Sequence, residues 1–146
     1  MDTQPLTPEV AAAKAIAVIA HRGQEDKIGM AYIDHPRRVA ARLSEPREVA
    51  AAWLHDVIED CEISAQDLLV ADISQDVVDA VELLTRTESV SKDNYYRAIR
   101  RNPIALAVKL ADIADNTDEE RTRQLPPADR ERFAQKYREA LAVLED

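Results

Sequence analysis

Glycine is nearly absent from this sequence, with only Gly23 and Gly29 in 146 residues, and aromatic residues make up just 4% of it. No run of alternating β-branched residues is present, while alanine is prominent and 46% of the chain is hydrophobic. These shortages exclude a strand-built domain and predict an all-α fold. A single cysteine, Cys61, excludes an internal disulfide framework and fits a reducing compartment. Neither an apolar run of about 18 residues nor a basic-then-apolar leader occurs. We therefore expect no membrane span and no signal peptide, and a cytoplasmic protein. Positive charge is also short, 19 Lys and Arg against 28 Asp and Glu, for a formal net charge of −9. That balance repels a polyanion and argues against general nucleic-acid binding, so an anionic partner must be small and met by a local basic patch. The length suits one domain with a sizeable core.

The most informative stretch present is Trp53-Leu54-His55-Asp56-Val57-Ile58-Glu59-Asp60-Cys61. Read as one helix at roughly 100° per residue, it sets His55 and Asp56 side by side, with Glu59 and Asp60 one turn below on the same face. Trp53, Leu54, Val57 and Ile58 make the opposite face apolar. Several carboxylates at a buried edge are costly unless a cation, a proton or strong hydrogen bonds compensate them, and His beside Asp is a common metal-ligand pairing. The plain alternative is a surface helix with an acidic end.

Start and stop signals divide the rest into helices. Thr7-Pro8-Glu9 opens one that runs to about Arg22 and stops at Gly23. His21, in its last turn, reads as a capping or core histidine. An irregular stretch follows to Asp34, with Gly29 where a turn needs positive φ. Asp34-His35-Pro36 then places His35 at or near the N-cap of a helix from Arg37 to Leu43. Glu45-Pro46 restarts the chain into the His-Asp helix, which ends near Cys61. Ser64 and Asp67 cap a short helix through Val70, and apolar stripes follow over Gln75 to Thr85 and after Ser91. From Ile104 to Asn116 a buried-looking helix carries Lys109, Asp112 and Asn116 at spacings of three and four. A Lys109–Asp112 pair at i,i+3 contributes only about 0.2–0.5 kcal/mol, too little to justify burying both. Ala128 to Leu144 reads as a packing helix.

Four candidate metal ligands thus come from three helices: His35, His55, Asp56 and Asp112. Two nitrogens and two oxygens suit one borderline divalent ion, Mn first and Fe, Zn, Co or Ni as alternatives, over a dedicated Mg or Ca cage. With Ala20-His21-Arg22-Gly23-Gln24, Gly29, Tyr32-Ile33-Asp34-His35-Pro36, His55-Asp56-Val57-Ile58-Glu59-Asp60 and Val108-Lys109-Leu110-Ala111-Asp112 plus Asn116 in this order, the chain resembles the HD-domain metal-dependent phosphohydrolases. Within them it is similar to the hydrolase domain of the stringent-response alarmone enzymes and to their small single-domain relatives. The resemblance implies a compact HD-domain helical bundle over residues 1–146, with a motif core at about 10–125 and a C-terminal packing helix at about 128–144. It puts the metal ligands on the same four residues, the catalytic acidic pair on Glu59 and Asp60, and substrate contacts on Arg22, Lys27 and Asn116. Lys109 joins these contacts as a further cation near the reacting phosphoryl group. The implied activity is hydrolysis of guanosine tetraphosphate, a small anionic nucleotide, at its 3′-pyrophosphate. Two alternatives stay open: a phosphatase acting on another nucleotide or small phosphorylated metabolite, and a non-catalytic nucleotide sensor. The chain departs from the family pattern at Asp26, where arginine is common, and at Ile113 and Asp115, where basic or histidine residues are common.

Overall fold

The computed structural model describes residues 7–145; the other residues of the expected 1–146 span lie outside that range. Along it run α1 (Pro8–Ala20), α2 (Asp34–Ala41), α3 (Pro46–Leu54), α4 (Val57–Asp60), α5 (Ala65–Val70), α6 (Gln75–Leu84), α7 (Lys92–Arg100), α8 (Pro103–Asn116), α9 (Glu119–Thr122) and α10 (Pro127–Leu144). The all-α prediction holds. Among the described residues the β content is one isolated antiparallel bridge, Glu25 to Ala31, and no helix is long and apolar enough to cross a membrane.

Local chemistry starts most of these helices. The Thr7 hydroxyl accepts from the Val10 N–H at 3.0 Å, and Asn102 Oδ1 accepts from the Ala105 N–H at 3.0 Å. In both cases a proline occupies the first turn, where its missing N–H is no loss. Ser64 and Asp67 form a reciprocal capping box.

α3 is the central element. Each residue from Val49 to Leu54 is buried, as expected of a helix covered on all sides, and α1, α2, α6 and α8 pack against it. α8 is the second axis, touching α2, α3, α6, α7 and α10. The end of α3, the first turn of α2 and the second half of α8 therefore converge.

Three boundaries differ from the sequence reading. α2 begins at Asp34 and not at Arg37, with His35 in its first turn near the N-cap, because i→i+3 bonds from Asp34 N–H to Ala31 O and His35 N–H to Tyr32 O wind the chain early. The expected continuous helix through Cys61 is interrupted at His55-Asp56. There the His55 N–H reaches Ala52 O at only 3.5 Å while its ring Nδ1 takes the same carbonyl at 2.6 Å, and Asp56 sits at φ −109°, ψ 0°. α9, finally, adds a helical turn at Glu119–Thr122.

Candidate active site

The convergence point holds the four proposed ligands. His35 Nε2 lies 2.8 Å from Asp112 Oδ1. His55 Nε2 lies 3.1 Å from Asp56 Oδ2 and 3.5 Å from Asp112 Oδ1. His35, His55 and Asp56 each bring one donor atom to within 4.8 Å of the others. Both imidazoles and Asp112 are buried.

Partners around them fix which atoms face inward. His55 Nδ1–H donates to Ala52 O, and His35 Nδ1–H donates to Asp115 Oδ2 at 2.7 Å, so both rings turn Nε2 toward Asp112. Asp115 is itself held by Arg38 Nε at 2.8 Å. The Tyr32 hydroxyl donates to Asp56 Oδ2. Asn116 Nδ2 donates to Asp112 Oδ1 at 3.2 Å and to the Tyr137 hydroxyl at 3.1 Å. Lys109 Nζ meets Asp112 Oδ2 at 3.1 Å and lies over the Tyr95 and Tyr96 rings. Burial alone would lower this ammonium's pKa, but Asp112 outweighs it and keeps the group charged.

This donor set suits a cation. His55 Nε2 is buried with no hydrogen-bond partner in spite of its two close carboxylate neighbours. A lone pair facing carboxylate oxygens at such distances is repulsive unless positive charge lies between them. Two imidazole nitrogens with carboxylate oxygens match a borderline divalent ion. Without one, protons serve instead. Burial opposes the charged imidazoles, yet Asp112 and Asp115 raise the pKa of His35, and Asp56 and Asp112 raise that of His55 well above the ordinary value. Against the same burial effect, His55 pulls Asp56 down to about 2, and His35 and His55 hold Asp112 well below the carboxylate range.

A pH prediction follows from those signs. The raised histidines contribute stability that is complete below their unfolded value of about 6.5 and is lost as pH climbs through their folded values; the depressed aspartates contribute theirs above about 3.9. In excess chelator the melting temperature should therefore fall as pH rises from about 6.5. With saturating Mn(II) the slope should weaken or reverse, because the ion requires neutral imidazoles. A flat or rising profile in chelator would contradict the arrangement described.

His35, Asp56 and Asp112 line a cavity of about 480 Å³. Lys27, Lys109, Arg121 and Lys136 bring positive charge to its wall, and Phe133 and Tyr137 bring ring faces. This is the local basic patch that an acidic chain needs for an anionic ligand. A second cavity of about 300 Å³ shares Asp56, Lys109, Asp112 and Lys136 and adds Arg86 and Lys92. Glu59 lines both cavities, and its Oε1 accepts from the Arg86 N–H at 2.6 Å; Asp60 lines the first. Burial, then Asp56 and Glu59, push the Asp60 carboxyl up. Arg22 is exposed just after α1 and is not among the residues lining either cavity, so the structure does not bring this expected substrate contact to the site.

Other residues gain roles that sequence reading did not give them. α10, expected only to pack, contributes Phe133, Lys136 and Tyr137 to the first cavity, at an i, i+3, i+4 spacing that a packing face shares. Asp26 organises its loop: Oδ1 accepts from the N–H groups of Ile28 at 3.0 Å and Met30 at 2.9 Å. Its other oxygen stands 3.8 Å from the Arg121 guanidinium, which restores a cation where the chain lacks one at position 26. Ile113 is core. His21 is buried as expected of a structural histidine, with Nδ1 2.9 Å from Gln24 Oε1.

No protein-family model matches the chain. A guanosine-3′,5′-bis(diphosphate) 3′-pyrophosphohydrolase of Vibrio cholerae is 32% identical over 97% of the chain and 22% of its own length. A bifunctional (p)ppGpp synthase/hydrolase SpoT of Escherichia coli is 33% identical over 88% of the chain and 20% of its own length. A GTP pyrophosphokinase of Streptomyces coelicolor is 33% identical over 84% of the chain and 15% of its own length. The chain thus spans about a fifth of the length of the curated relatives it matches. In fold it matches the solved structure of a metazoan ortholog of SpoT that hydrolyses ppGpp, with a TM-score of 0.76 and 22% identity over 97% of the chain and 88% of that structure. By sequence the chain is similar to a segment of proteins named for (p)ppGpp hydrolysis, and by fold it is an all-α domain like that of the metazoan structure.

Proposed function

We propose that the chain is a metal-dependent hydrolase that removes the 3′-pyrophosphate of guanosine tetraphosphate, giving pyrophosphate and the nucleoside diphosphate. The observation that carries the reading is the donor set of buried His35, His55 and Asp112 with half-buried Asp56, including an unpartnered His55 Nε2, beside two cation-lined cavities. Homology to proteins named for this activity supports the choice of substrate.

These four residues would hold one divalent ion, Mn ahead of Fe, Zn, Co or Ni. Such an ion supplies Lewis-acid polarisation of a phosphoryl oxygen and acidifies water. The chain's own groups do the rest. Tyr32 and Asn116 fix the carboxylates of Asp56 and Asp112 by hydrogen bonds. Asp60 or Glu59 accepts the proton of the attacking water. Lys109, kept charged by Asp112, meets negative charge that grows on the phosphoryl oxygens. Lys27, Arg121 and Lys136 bind the remaining phosphates, and the Phe133 and Tyr137 faces receive the base.

The test is turnover after chelation and reloading with Mn(II), with pyrophosphate and orthophosphate detected separately across guanosine tetraphosphate and nucleoside monophosphates. One equivalent of pyrophosphate per nucleoside diphosphate is expected. An intact tetraphosphate with orthophosphate released from a monophosphate overturns the substrate assignment, and nucleotide binding without turnover on any metal overturns the enzyme.

A further inference from the structure

We propose that Asp115 is a positioning residue of this site: its carboxylate fixes the tautomer of His35, so that Nε2 is delivered to the metal as a lone pair. The inference rests on the metal-site reading above and concerns a position where the chain departs from the family pattern.

Asp115 lies one turn beyond Asp112 on α8 and is 1% exposed. Both of its oxygens are engaged. Oδ2 accepts from His35 Nδ1 at 2.7 Å, and Oδ1 accepts from Arg38 Nε at 2.8 Å. Arg121 Nε stands 3.8 Å from Oδ2, so two guanidinium groups offset the buried charge. A residue here that only filled space would need neither carboxylate oxygen nor an arginine. Both ring nitrogens face carboxylates, Nδ1 that of Asp115 at 2.7 Å and Nε2 that of Asp112 at 2.8 Å, and neither carboxylate has a proton to give. An ion taken up between Nε2 and Asp112 would displace the Nε2 hydrogen, and the Asp115 contact would keep the remaining hydrogen on Nδ1. His55 is oriented by a neutral carbonyl, that of Ala52.

Substitution gives an order that steric loss cannot. In Asp115→Asn, Arg38 Nε–H demands an acceptor, so the amide oxygen turns to Arg38 and the amide NH₂ turns to His35. Nδ1 must then accept, the proton moves to Nε2, and the ligand atom is blocked. In Asp115→Ala neither tautomer is imposed. Affinity for Zn(II) and Mn(II), measured by competition with a chromophoric chelator, should weaken about 10-fold in Asp115→Ala and about 100-fold in Asp115→Asn, the range for a lost outer partner. A purely structural role predicts the reverse, since Asn is the closer shape. In the Zn(II)-loaded parent, two-bond ¹H–¹⁵N spectra should place the His35 proton on Nδ1, and this readout needs no variant to fold. Overturning results are Asp115→Asn binding as tightly as the parent, Asp115→Ala being the weaker binder of the two, or a parent proton on Nε2. A parent that binds neither ion removes the metal site itself, and this inference with it; a parent that binds while the variants keep its affinity removes only the role of Asp115.

Discussion

Asp112→Ala is expected to weaken Mn(II) binding by on the order of 10²-fold or more and to abolish turnover with it. Asp112 is the hub of the cluster. One oxygen lies 2.8 Å from His35 Nε2 and 3.5 Å from His55 Nε2, and the other meets Lys109 Nζ at 3.1 Å. Alanine removes a ligand and also leaves Lys109 half-buried beside two tyrosine rings without its counter-ion. Stripping one partner from a buried pair costs about 3–5 kcal/mol, so the metal-free variant should melt well below the parent. That fold effect must be separated from ligand loss. Asp112→Asn serves, because it keeps the side chain's size and an acceptor for Lys109 or Asn116 while losing the charge the ion needs. It should melt closer to the parent in chelator yet still fail to load. Metal analysis of both variants decides the matter: stoichiometric Mn(II) in Asp112→Asn and Asp112→Ala would remove Asp112 from the ligand set.

What could be read from the sequence is what short-range chemistry determines. Thr7-Pro8, Ser64 with Asp67, and Asn102-Pro103 announce helix starts because a cap involves residues three apart. His55 and Asp112 stand out in the sequence as polar groups within apolar segments, and His35 as a histidine before a proline at a helix start; all three are buried. The interruption at His55-Asp56 was not visible, since it depends on the His55 ring competing with its own N–H for the Ala52 carbonyl, and no spacing rule encodes that rotamer. Asp115 looked like a lost positive charge beside the substrate. Its contacts to His35 and Arg38 span about eighty positions and exist only because α2 packs on α8. Lys136 and Tyr137 stayed hidden for another reason: a helix face that lines a cavity has the same spacing as one that packs.

Glu59 and Asp60 should separate metal binding from chemistry, with the larger loss at Asp60. Carboxylate oxygens of Asp56, Glu59 and Asp60 come within 4.8 Å of one another, so both acids stand beside one of the proposed ligands. They are not equivalent. Glu59 already spends Oε1 on the Arg86 N–H, while Asp60 has its carboxyl pushed up by burial and by the charges of Asp56 and Glu59. A raised carboxyl pKa lies nearer the working pH and makes the better general base. Asp60→Asn should therefore retain Mn(II) and lose turnover by roughly 10²- to 10⁴-fold, the usual scale for a missing base. Glu59→Gln keeps an acceptor for Arg86 but removes one of the charges that raise Asp60. It should retain Mn(II), lose turnover by a smaller factor, and move the acid limb of the kcat/KM profile to lower pH. Metal analysis beside a pH–rate profile for each variant checks all three statements. If Asp60→Asn turns over at the parent rate while Glu59→Gln is dead, the roles are exchanged and the Arg86 contact positions the base; if both match the parent, neither residue takes the proton.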